Sequence, residues 1–165
     1  MSGHGKTKFS GKLRTARLND LDAINDIETD CFDSDLCWTR DEFAVLLARP
    51  KTLSMIFSMA VLPATETTPE TVAGYGLARI ERDGNGAILS MAILKSFRGQ
   101  GVGAKILKNL CKGLHKKGAT EISLEVEVTN QVALRLYKNF GFVSTAPLPD
   151  YYGPGRDGVQ MVLKP

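Results

Sequence analysis

Ala87-Ile-Leu-Ser-Met-Ala-Ile-Leu-Lys-Ser-Phe-Arg-Gly-Gln-Gly-Val-Gly103 decides the architecture. An apolar strand, Ala87 to Leu94, runs through a basic, glycine-rich turn into a helix. Between Gly101 and Lys117 that helix carries Val102, Ile106, Leu107, Leu110, Cys111 and Leu114 on one face, and Gly118 stops it. Such a turn is chemically suited to a phosphate. A helix N-terminus offers unpaired N–H groups and the positive end of its dipole. Glycines let those groups approach an anion closely, and Arg98 adds a fixed charge with fork geometry. Pattern alone also allows a plain flexible turn.

Spacing separates this loop from two familiar phosphate motifs. A P-loop requires Gly-Lys-Ser/Thr, whereas Lys105 here stands between Ala104 and Ile106. A dinucleotide fingerprint requires Gly-x-Gly-x-x-Gly, whereas Gly99, Gly101 and Gly103 alternate.

Working outward, Val72–Glu81 and Ala87–Leu94 read as strands around Asp83-Gly-Asn-Gly86, a strong hairpin turn. Leu53–Leu62 is a further apolar strand, followed by the polar loop Pro63–Thr71. Toward the N-terminus, Leu13–Leu18 forms a first strand. Asn19 or Asp20 then caps a helix with Leu21, Ile24, Ile27 and Cys31 or Phe32 at helical spacing. Thr39-Arg-Asp-Glu42 is a capping box that opens a second helix, which Pro50 ends. On the C-terminal side, Glu121–Val128 alternates strictly between apolar and polar residues and reads as a strand. A helix over Asn130–Phe140 follows, then two strands, Phe142–Thr145 and Gly158–Leu163. The order predicts one α/β (α+β) domain over residues 13–165, behind a loose Gly/Ser/Lys arm at 1–12. Its mixed, largely antiparallel sheet would have about seven strands, with about four helices on its two faces.

The chain has 165 residues, 43% apolar and 24% charged, ordinary values for a globular protein. No apolar run reaches membrane-spanning length and the first residues lack a secretory pattern, so neither membrane nor export is expected. Cys31, Cys37 and Cys111 form neither a metal-spaced nor an even disulfide set, which fits a reducing cytoplasm; Cys111 sits among core residues. Net charge is 21 − 18 = +3. Lys105, Lys108, Lys112, Lys116 and Lys117 form the best basic face, but no aromatic residues interleave for base stacking. They read as a solvated face, not a nucleic-acid surface. No metal site is visible; His4 falls in the arm and His115 near a helix end.

The loop together with Leu124-Glu-Val-Glu-Val-Thr-Asn130, Ala133-Leu-Arg-Leu-Tyr137 and Gly141-Phe142 resembles the GNAT N-acetyltransferase superfamily. Family loops read Gln/Arg-x-x-Gly-x-Gly/Ala, matched by Arg98, Gly101 and Gly103. The similarity runs from about Leu13 to Leu163. Within the superfamily, Trp38-Thr39 leading to Phe43, Leu-Glu-Val at 124–126 and Leu-Tyr at 136–137 look most like the protein N-terminal and ribosomal-protein alanine N-acetyltransferases.

This resemblance implies acetyl-CoA as cosubstrate, with the N-terminal α-amine of a peptide or protein as acceptor. It implies that Met91, Ala92 and Ile93 offer backbone groups to the pantetheine arm and thioester. Arg98, Gly99, Gln100, Gly101, Val102 and Gly103 would hold the pyrophosphate, with Asn130 beside the cofactor arm. Glu125 would act as base and Tyr137 as acid. Trp38, Tyr151 and Tyr152 are candidates for the amine side. Three departures stand out: Cys37 replaces a proline before the tryptophan, Ile93–Ser96 lacks a proline, and Pro63–Thr71 is long. The first and third are expected on the substrate side.

Each role has a structural alternative. Glu125 and Glu127 share the polar face of their strand, so alternation alone does not choose between them. Tyr137 could be an ordinary buried tyrosine, and Asn130 a helix cap. Tyr151 and Tyr152 either line the amine's entrance or close a loop; Trp38 either packs under the first helices or edges the groove. Two other functional readings stand: acetylation of a small amine, polyamine or lysine side chain, and a non-catalytic acetyl-CoA-binding module.

Overall fold

The computed structural model describes residues 8–48 and 55–164, with the backbone alone for 55–57. His4, Pro50 and Leu53 lie outside the described residues. The elements follow the expected order: β1 (Lys12–Arg14), α1 (Leu21–Cys31), α2 (Arg40–Ala48), β2 (Met55–Leu62), β3 (Thr71–Ile80), β4 (Gly86–Ile93), α3 (Val102–Lys116), β5 (Ile122–Glu127), α4 (Gln131–Phe140), β6 (Val143–Leu148) and β7 (Gly158–Leu163). The seven strands form one sheet in the order β1-β2-β3-β4-β5-β7-β6. Every neighbouring pair is antiparallel except β4 and β5.

Period-two alternation sends each strand's side chains to opposite faces, and both faces are covered. On one, Ile106, Leu107, Leu110 and Leu114 of α3 pack with Leu134, Phe142 and Met161. On the other, Leu21, Ile24, Ile27, Phe43 and Leu47 of α1 and α2 pack on Met59, Val61, Tyr75 and Leu77. The four α3 residues are fully buried, each stabilising the fold by about 1.5–3 kcal/mol. The predicted capping box at α2 is present: Thr39 N donates to a Glu42 carboxylate oxygen at 2.7 Å, and Glu42 N to Thr39 Oγ1 at 3.2 Å.

Two stretches differ from the sequence reading. Residues 8–12 are no loose arm: Phe9 is 3% exposed and packs in the α3-side core, and Lys12 already begins β1. The strand expected over Leu13–Leu18 ends at Arg14, because Leu18–Asp20 turns into a 3-10 helix. There Asp20 accepts from Arg17 N and from both Arg14 Nη atoms, all at 2.7 Å. The Pro63–Thr71 loop is tied to the same arginine through Glu70, on the far side of the sheet from β5.

Glycines at β3 set how closely α3 approaches. A Cβ on Gly76 would stand 2.4 Å from Ile106 Cγ2 and 2.8 Å from Leu110 Cδ1. Gly76→Val is therefore expected to cost about 1–3 kcal/mol. The check is a urea midpoint that falls while the transition slope holds. Among the described residues no helix is long and apolar enough to cross a membrane.

Candidate active site

The parallel neighbours β4 and β5 pair only at Gly86–Ile122 and Ala87–Ser123. Beyond that point the strands part, and residues 88–93 of β4 have no strand partner on this edge. A cleft of about 380 Å³ occupies the opening. Ile88–Met91 line one wall, Glu125–Glu127 the other, and α4 contributes Asn130, Ala133 and Tyr137. The α1–α2 connection supplies Phe32, Leu36 and Trp38, and the β6–β7 connection Tyr151, Tyr152 and Arg156.

Backbone alternation explains what β4 offers to this seam. Leu94 N donates to Ala73 O at 3.0 Å, on the β3 side. The Ile93 N–H, one residue earlier, therefore points the opposite way, toward the gap. The Ile93 carbonyl points there too: it accepts from Arg98 Nε at 2.9 Å and from the Cys31 thiol at 3.6 Å. Met91 lines the cleft, whereas the Ala92 side chain is buried in the α1-side core.

At the end of β4 the glycine loop enters α3. Gly99 and Gly101 have φ of 76° and 85°, values an L side chain rarely adopts. Gly101 is the N-cap, and no side chain caps the helix, so the first-turn N–H groups face outward from its end. Val102 is buried and can serve only through its backbone. Gly103 keeps α4 close: a Cβ there would meet Leu136 Cδ2 at 3.3 Å. The Gln100 side chain turns back to Ser96 O at 2.9 Å. Positive-φ glycines, an uncapped helix end and an opened parallel seam together fit a pyrophosphate with an extended arm.

The two glutamates that alternation could not separate differ sharply. Glu127 accepts from Arg156 Nε and Nη2, both at 2.9 Å, and that guanidinium holds its carboxyl below the usual range. Glu125 lines the same wall with no ion pair among the described residues. Burial pushes its carboxyl up, against a smaller opposing pull from the Gln160 side chain. One glutamate is locked in a bidentate pair; the other is a desolvated carboxylate open to the cleft.

Tyr137 is 9% exposed, its ring 5.8 Å from that of Phe142. Burial pushes its hydroxyl up to about 12. Asn130 does cap α4, accepting from Ala133 N at 3.1 Å, and also lines the cleft. Trp38 likewise does two things: its ring packs 6.1 Å from Phe43 and it edges the cleft. Tyr151 and Tyr152 meet edge-on at 5.0 Å. Asp150, in the left-handed region at φ 52°, orders their loop by accepting from Gly155 N. Burial and neighbouring tyrosine and glutamate charges raise the Tyr152 hydroxyl. The Pro63–Thr71 loop, expected on the substrate side, contributes no residue to this cleft.

Sequence reading missed Glu28, Ser90, Tyr75 and Arg156. Glu28, on α1, is 1% exposed. It accepts from Trp38 N at 3.0 Å and from the Tyr75 hydroxyl, which also bonds Ser90 Oγ at 2.9 Å. Desolvation raises its carboxyl, while the hydrogen bonds from Tyr75 and Trp38 oppose that. A glutamate one place after Ile27, on the buried stripe of α1, was the available signal. Arg156 also reaches Asp33 at 3.2 Å, tying the α1–α2 connection to the β6–β7 connection. Among the described residues no group of His, Cys, Asp and Glu could hold a metal. His115 instead bonds Ala119 O at 2.8 Å, at the end of α3.

Comparison with known proteins agrees with this geometry. The acetyltransferase (GNAT) family model matches residues 21–142. An N-alpha-acetyltransferase from Sulfolobus acidocaldarius is 31% identical, over 94% of each chain. The crystal structure of the ribosomal-protein-S18-alanine N-acetyltransferase from Escherichia coli superposes with a TM-score of 0.75, at 20% identity over 93% of each chain. Arabidopsis thaliana NAA60 in complex with acetyl-CoA gives 0.77, at 18% identity, over 94% of this chain and 98% of that one. Because the family model spans residues 21–142 and the Sulfolobus relative is matched over 94% of each chain, the chain belongs to the acetyltransferase (GNAT) family.

Proposed function

We propose that the chain acts as a single acetyl-CoA-dependent N-acetyltransferase domain, residues 8–12 included, whose acceptor is the N-terminal α-amine of a peptide or protein. The observation that carries this reading is the seam between β4 and β5. Its cleft is lined by Met91, Glu125, Asn130 and Tyr137, while the Ile93 N–H and the glycine loop follow at the end of β4, outside that lining. Acetyl-CoA supplies an activated acetyl thioester. Gly101, Val102 and Gly103 bind its pyrophosphate through backbone N–H groups, Arg98 and Gln100 fix the loop, and Asn130 lies beside the arm. The Ile93 N–H, preorganised by the β3 ladder, stabilises negative charge on the acyl oxygen. Glu125 takes a proton from the acceptor, directly or through water, and Tyr137 gives one to the departing sulfur.

Charge in the cleft favours a single amine over a polyamine. Of the carboxylates that line it, Glu127 and Asp33 share Arg156, and Glu28 is committed to Tyr75 and Trp38. Glu125 is left for the substrate. An α-amine with a pKa of about 7.7–8.0 is roughly 10–15% neutral at pH 7, whereas a lysine near 10.4 is neutral only about a few parts in ten thousand. One carboxylate is adequate for the first. The relatives named as N-alpha-acetyltransferases support the same acceptor class. The cytoplasm, which keeps thiols reduced, suits the free Cys31, Cys37 and Cys111.

The test is release of coenzyme A with free-N-terminus peptides, N-blocked peptides bearing lysine, and polyamines. Turnover with the free-terminus peptides, with the added mass at the terminus, is expected. Turnover restricted to polyamines or lysine would move the acceptor to a small-amine class. Binding of acetyl-CoA with no turnover would leave only a binding module.

A further inference from the structure

The residues before β1 grip the glycine loop at three points. The Phe9 ring meets Phe97, just before the loop, edge-on at 6.2 Å. Phe9 N donates to Gln100 O, within the loop, at 3.1 Å. Lys105, in the first turn of α3, donates from Nζ to Phe9 O at 2.8 Å and sits 5.1 Å from the ring centroid. Gly11 makes room for this arrangement. A Cβ there would stand 2.3 Å from both Phe9 Cζ and Val61 O.

The contact with Gln100 has a directional consequence. Across a trans peptide the carbonyl and the following N–H point in opposite directions. Anchoring Gln100 O on Phe9 therefore aims the Gly101 N–H away from Phe9. Gly101 alone would not hold this orientation: open space surrounds the position a Cβ would take, and glycine populates many backbone conformations. The Lys105 contact fixes the other end, so that the loop cannot rotate about the helix start. Orientation of these amides decides whether they converge on one anion.

We propose that Phe9 is a positioning residue for acetyl-CoA, the residues before β1 acting as an outer brace that aims the amides of the pyrophosphate loop. This rests on the reading of that loop as the cosubstrate site. A residue that merely fills the core would change stability and leave the balance between the two substrates alone. The brace acts on one substrate only.

The full chain is compared with Phe9→Ala, Phe9→Leu and Lys105→Met by calorimetric titration with acetyl-CoA and by steady-state kinetics with a peptide. In Phe9→Ala the acetyl-CoA Kd is expected to rise about 5–30-fold, with peptide KM at saturating acetyl-CoA unchanged. Phe9→Leu restores most of the affinity, and Lys105→Met shifts Kd the same way by less. A folded Phe9→Ala with wild-type Kd overturns the proposal. If that variant fails to fold, Lys105→Met decides, and an unchanged Kd there overturns it. A wild-type chain that does not bind acetyl-CoA sinks the functional reading itself, a result distinct from any of these.

Discussion

Tyr137→Phe is expected to lower kcat by about 10²–10⁴-fold while acetyl-CoA binding and thermal stability stay close to wild type. The substitution isolates the hydroxyl. The ring keeps its packing against Phe142, and burial is what raises the hydroxyl's pKa, so removing the hydroxyl puts little stability at stake. The hydroxyl, pushed up to about 12, stays protonated at working pH and is a standing donor. Free thiols titrate near 8.5, which would make Tyr137 a weak acid for a sulfur in water. In the proposed mechanism, however, the sulfur leaves beside the buried Tyr137, and desolvation raises a thiol as it raises a phenol. The two affinities for the proton are thus brought back toward each other. Steady-state kinetics with single-turnover measurement, to separate chemistry from product release, checks this. An unchanged single-turnover rate would return Tyr137 to the role of a core ring.

Legibility of the fold and of the site came from different signals. Elements with strong periodicity, α3 and β5 above all, were readable to within a residue or two, because one buried face imposes its period on the sequence. The open seam was not readable. Nothing in the residues of β4 or β5 states that their pairing stops after Ala87 and Ser123; where two strands part is a property of the assembled sheet. Phe9 was misread for a related reason. A lone aromatic among Gly, Ser and Lys has no periodicity, and only tertiary packing shows that Gln100 and Lys105 receive it. Glu28 carried the period of a core helix but the chemistry of a surface residue. Its partners Trp38 and Tyr75, and Ser90 beyond them, lie 10 or more places away in sequence. Glu125 and Glu127 illustrate the limit most directly. Two glutamates at i and i+2 are equivalent on a strand until an arginine from a distant loop takes one of them.

That difference yields the second large effect. Glu125→Gln is expected to lower kcat/KM at neutral pH by about 10²–10⁴-fold and to change the shape of its pH dependence. A base works only when ionised, so activity carried by Glu125 is present above its pKa and lost as pH falls through it. Burial sets that fall above the ordinary carboxylate range. The α-amine of the substrate titrates separately, near 7.7–8.0, and must also be neutral. In the wild type, log kcat/KM therefore rises with a slope of about two below the Glu125 pKa and about one between the two transitions. Glutamine is isosteric and cannot titrate, so the variant keeps only the slope contributed by the amine. Glu127→Gln is the matched control on the same strand face. Its carboxyl is already held down by Arg156, so losing it weakens the tie to the β6–β7 connection and raises peptide KM, with the acid limb left in place. If both variants lost the steeper limb, the proton would be moving through the Arg156 pair. If neither did, a group other than Glu125 would own the steeper limb, and Glu125 would not be the base.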